Sequence, residues 1–89
     1  MRDQIRDFVL EALRGMNYDV TGVTGETDLG PAGLDLESLA LADLAVQVEE
    51  QYAIKFSLDD MEETALMTLD EFTAEVAARI SGSAVGSSR

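Results

Sequence analysis

The 89-residue chain contains no cysteine and no histidine. The first absence excludes a disulfide framework, a thiolate nucleophile and a thiolate metal site. The second removes the imidazole on which most general-base and serine-nucleophile mechanisms depend. Tryptophan is absent, and there is one proline. Cations are scarce: six Lys and Arg stand against eighteen Asp and Glu, a net charge of −12. Such a chain cannot neutralise a phosphate backbone or an anionic lipid surface, which argues against nucleic acid and membrane partners. It favours partners that present basic patches and associate quickly and salt-dependently. No apolar run reaches the roughly 18 residues of a transmembrane helix. Met1-Arg2-Asp3-Gln4 lacks the apolar stretch of a signal peptide, so the expectation is a cytoplasmic protein, monomeric in solution.

What remains is ordinary globular composition, 46% hydrophobic and 27% charged, enough for one domain with a small unaided core. Ile5, Phe8, Val9, Ala12, Leu13 and Met16 recur at the spacing of one helical face, predicting a helix over 2–15 that stops at Gly15 and Asn17. Residues 17–35 collect most of the glycines and the single proline, and read as a long ordered loop anchored by Leu29 and Leu34. A short strand over Tyr18–Val23 is the other reading of its start. From Leu36 to Tyr52 no Gly or Pro interrupts a second helix. Leu41, Leu44, Ala45, Val48 and Tyr52 form one apolar stripe on it, and Leu39, Ala42 and Val46 a second. So wide an apolar surface either serves the core twice over or leaves one stripe for a partner.

Ile54 and Phe56 mark a short connector that plugs the core. A short helix is expected over 59–66, capped by Ser57 or Asp59. Thr68-Leu69-Asp70-Glu71 is a capping box, with Met67 and Phe72 as a hydrophobic staple, opening a last helix that Gly82 ends. The expected fold is all-α: a small four-helix bundle over 1–80, three main helices and one short one, with a flexible tail over 81–89.

Few residues offer chemistry. A calcium loop started at Asp28 places Gly33 correctly but puts Gly30, Ala32 and Leu39 where oxygen ligands belong, so no metal site is expected. The many carboxylates lie on solvent faces, where solvation rather than acid–base work is their ordinary role. Ser38 has no base to activate it and no nucleophile elbow around it. It does sit in the first turn of the second helix, where free amides and the helix dipole favour a phosphate. Glu37 precedes it and the Leu39, Ala42, Val46 stripe begins beside it. Taken alone, a serine there is most often a cap.

Leu34-Asp35-Leu36-Glu37-Ser38-Leu39, followed by Leu44, Val48, Glu49-Glu50, Tyr52, Ile54 and Phe56, resembles the acyl carrier protein family. The resemblance extends over nearly the whole chain in helix order, size, acidity and the capped last helix. It implies that a phosphopantetheinyl transferase attaches 4′-phosphopantetheine from coenzyme A to Ser38. Acyl groups are then carried as thioesters on the arm, and the carrier itself catalyses nothing. It also implies that Glu37, Asp43 and Glu49 steer basic partner enzymes while Leu39, Ala42 and Val46 make apolar contact. Those partners would be acyltransferases, ketosynthases and other acyl-loading or acyl-modifying enzymes. Family members commonly have Gly, a small residue and Asp before the serine, where Asp35-Leu36-Glu37 stands here, and an acid two places after it, where Ala40 stands. These departures point to a discrete carrier of polyketide or related specialised metabolism, including extender-unit formation. The alternatives are a peptidyl carrier, an acidic helical interaction module in which Ser38 is only a cap, and a carboxylate enzyme.

Overall fold

The structure, a computed structural model, describes the backbone of residues 2–87 and the side chains of residues 2–81. Among the described residues the chain is all-α, with four helices: α1 (Arg2–Gly15), α2 (Ser38–Tyr52), α3 (Leu58–Thr64) and α4 (Leu69–Ser87). α1 packs against α4 and α2, and α3 against α2. Among the described residues no helix is long and apolar enough to cross a membrane.

The predicted faces build the core. Ile5, Val9 and Leu13 of α1 meet Leu44 and Val48 of α2 and Leu69, Phe72 and Val76 of α4, all fully buried. Phe8 and Tyr52 close one edge in a T-shaped pair with ring centroids 5.8 Å apart. Ile54 and Phe56 plug the core from the connector, Phe56 stacking on Phe72 at 6.0 Å. Burial pushes the Tyr52 phenol up from its ordinary value.

Chain ends are set by local chemistry. α1 ends at Gly15 as expected, and Asn17 closes it: Asn17 takes the left-handed conformation (φ 71°), and Tyr18 N–H donates to Leu13 O at 3.0 Å. This is a Schellman closure, with Asn in the role usually taken by Gly. α3 begins at Leu58 and ends at Thr64, short of the expected end at 66. The Ser57–Asp60 capping box fixes its start, with bonds of 3.1 and 2.9 Å. The Thr68–Glu71 box opens α4 as read from the sequence, with bonds of 2.8 and 3.2 Å. The expected stop at Gly82 is absent, since α4 runs on to Ser87. A helical Gly costs only about 1 kcal/mol relative to Ala and does not by itself break a helix. Of the tail over 81–89, Ser88 and Arg89 lie outside the described residues.

The segment between α1 and α2 holds no strand over 18–23, and the ladder element within it is an isolated antiparallel bridge between Asp28 and Thr68. Backbone bonds order it. Leu29 N–H donates to Met67 O (3.0 Å), Leu69 N–H to Thr27 O (2.9 Å) and Asp70 N–H to Gly25 O (2.8 Å), sewing the loop to the start of α4. It then folds back on itself through Leu34 N–H to Asp28 O (2.8 Å) and Leu36 N–H to Leu29 O (3.0 Å). The fold-back needs glycine: a Cβ on Gly33 would collide with the Asp28 backbone, and one on Gly30 with the Ala65 carbonyl. Leu29 is fully buried as expected, but Leu34 is only half-buried. The second anchor is Leu36, which the sequence pattern assigns to α2. Its amide serves the loop, and the helix starts at Ser38.

Candidate functional site at the start of α2

Two features fix the position of Ser38. Leu36 is buried just before it, and Asp35 takes the left-handed conformation (φ 55°) that turns the chain into α2. Asp tolerates that region better than most L-residues. Glu37 is the N-cap in extended conformation, and no side chain makes the cap bond. Ser38 is the first helical residue, exposed, and among the described residues its hydroxyl makes no hydrogen bond. Ser38 therefore is not the cap of α2. The first-turn amides stay unsatisfied by side chains, and the first turn contains no acid of its own.

The two stripes of α2 separate cleanly. Leu41, Leu44, Ala45 and Val48 are buried. Leu39 is 81% exposed and Val46 43%, with Ala42 half-buried between them. The second stripe is therefore not core. Ser38, Leu41 and Ala42 line a largely apolar groove of about 410 Å³, whose opposite wall is Leu58, Met61, Glu62 and Ala65. Leu58 (79%) and Leu66 (84%) are as open as Leu39. The reading of the sequence leaves α3 and its exit out of the site. The signal was present in the spacing of Leu58, Met61 and Ala65, one face of a short helix.

Of the acids expected to steer partners, Glu37 and Asp43 are exposed. Glu49 is half-buried, and its Oε2 accepts from Phe56 N–H at 2.7 Å, while its backbone carbonyl accepts from Ala53 and Ile54 at the end of α2. It braces the connector instead of standing free. Val46 and Glu49 line a separate hollow with Ala53, Ile54 and Lys55, away from Ser38. α2 and α3 contain no Lys or Arg, so Glu62 on the groove wall has no compensating cation on either helix, and Asp43, Asp59 and Glu63 add to the negative charge of the two helices. Among the described residues no group of three or more acids is placed to hold a metal ion.

No protein-family model matches the chain, and no curated protein or solved structure matches it either.

Proposed function

We propose that the protein is an acyl carrier protein whose Ser38 is the attachment point of 4′-phosphopantetheine. The observation that carries this is the state of Ser38: an exposed, unbonded hydroxyl at the start of a helix whose first turn no side chain caps, with an open apolar groove beside it. A capping serine would have its oxygen on a backbone amide. The residues fit the group. The free amides and dipole of α2 favour a phosphodiester at Ser38, and Ala42, Leu58 and Met61 offer apolar contact to the arm beyond the phosphate. The group supplies a thiol, which the chain lacks, to hold acyl chains as thioesters.

In the attachment step the Ser38 Oγ–phosphorus bond forms and the pyrophosphate bond of coenzyme A breaks. The adenosine bisphosphate half leaves, and the hydroxyl proton passes to a base on the transferase. The chain itself is no catalyst in this reading. Its partners are the transferase and acyl-loading or acyl-modifying enzymes with basic docking patches, which Glu37, Asp43 and the exposed Leu39 meet. Acyl cargo of polyketide-like synthesis suits the apolar groove better than the aminoacyl cargo of a peptidyl carrier. The same exposed leucines within an acidic rim also suit a plain interaction module.

Intact-protein mass spectrometry separates these readings. The protein and Ser38→Ala are incubated with coenzyme A, magnesium and a promiscuous phosphopantetheinyl transferase. The expected result is the gain of one phosphopantetheinyl group in the wild type alone, with both proteins equally helical. A folded wild-type chain that gains nothing, with a cognate transferase also supplied, overturns the carrier reading and leaves the interaction module.

A further inference from the structure

α3 is poorly held by its own contacts. It has seven residues, too few for stability in isolation, and its one buried side chain is Thr64, whose hydroxyl is spent within the helix on Asp60 O at 2.9 Å. Leu58 lies open to solvent, and Met61 and Ala65 are half-buried along the groove. Yet this helix forms the far wall of the groove beside Ser38.

Beyond its packing on α2, a cation on α4 ties it down. All three guanidinium nitrogens of Arg79, in α4, are engaged. Nε donates to Glu75 of the same helix at 2.9 Å, one terminal nitrogen to Lys55 O at 3.0 Å, and the other to Asp60 Oδ1 at 3.0 Å. Its carbon stands 4.7 Å from the centroid of Phe56. Asp60 is shared: its other oxygen accepts the Ser57 N–H of the α3 capping box at 2.9 Å. The ion pair is half-buried, with side chains 25% and 28% exposed, unlike the exposed Arg6–Asp3 and Arg14–Glu11 pairs of α1.

We infer that Arg79 is a latch that locks α3 onto α4, making α3 a movable wall of the Ser38 groove. When the Arg79–Asp60 contact breaks, the capping box loses its external support and α3 can swing or fray. The Phe56 plug and the α1–α2–α4 core hold meanwhile, because their contacts do not run through Asp60. Local opening of this kind belongs to segments with few buried contacts. The latch concerns α3 itself and stands whether or not Ser38 is modified.

Hydrogen exchange with residue-level resolution tests it on the full chain. Arg79→Gln and Asp60→Asn each accelerate exchange of the α3 amides by roughly ten- to a hundredfold, as expected for a lost charge-assisted pair. The core amides of α1, α2 and α4 keep their rates. The double variant exchanges no faster than the faster single one, since both remove the same contact. Glu75→Gln, which touches only the pair within α4, leaves α3 unchanged. Unaltered α3 exchange in Asp60→Asn overturns the latch. So does acceleration spread evenly over all four helices, which would make Arg79 a general stabiliser, and so does an α3 already unprotected in the wild type.

Discussion

Leu39 and Leu44 belong to the same helix and the same residue type, yet truncating them has opposite consequences. Leu44 is 0% exposed within the core, where Leu→Ala removes buried apolar surface and leaves a cavity, costing about 2–5 kcal/mol. A chain of this length has a total stability of about 4–13 kcal/mol, so Leu44→Ala consumes a large share of it. Leu39 is 81% exposed, and the fifth of it that is covered is worth ~0.3–0.6 kcal/mol. The better helix propensity of Ala offsets part of that loss. Urea unfolding followed by far-UV circular dichroism measures both. With a slope near ~1 kcal/mol/M, Leu44→Ala shifts the midpoint by about 2 M or more, and Leu39→Ala by under about 0.5 M. The functional readout runs the other way. If Ser38 is the attachment site proposed above, Leu39→Ala slows its modification by the transferase roughly tenfold, as truncation of an apolar anchor at an interface does. A loss above about 1 kcal/mol in Leu39→Ala would mean that the second stripe packs inside the fold, and would refute the division of α2 into a core face and a partner face.

Ala53 ends α2 in the left-handed conformation (φ 57°), so Ala53→Gly relieves strain and raises the unfolding free energy by about 0.5–1 kcal/mol, read from the same urea curves. Two Ser57 hydrogen bonds and then the Arg79 guanidinium hold the Asp60 carboxyl below its usual range, with Glu75 the other acid on Arg79. A carboxyl with a depressed folded pKa contributes stability that is present above its unfolded value of about 3.9 and lost as pH falls through the folded one. Acid titration of the melting temperature therefore shows a shallower acid limb in Asp60→Asn than in the wild type. Self-repulsion at net charge −12 makes the bundle melt lower at low ionic strength near neutral pH, and added salt raises the melting temperature. A melting temperature indifferent to salt would refute that account.

Local signals account for much of the molecule. The period of α1, the Thr68–Glu71 capping box and the apolar connector at Ile54 and Phe56 needed only neighbours a few residues away, and each stands where the pattern put it. Ser38 at the head of α2 was legible for the same reason. Composition excluded thiol and imidazole chemistry before any fold was considered. Long-range contacts decided the rest. Periodicity alone cannot tell a core stripe from an exposed one, and only the packing of one side of α2 against α1 and the shared core left Leu39 and Val46 open. Leu36 reads as the start of a helix until the loop's return to Leu29 claims its amide. Glu49 resembles any surface acid until the connector brings the Phe56 amide against it. Arg79 carries no signal at all, because the Asp60, Lys55 and Phe56 groups it joins lie on other segments and converge only once the tertiary structure has formed.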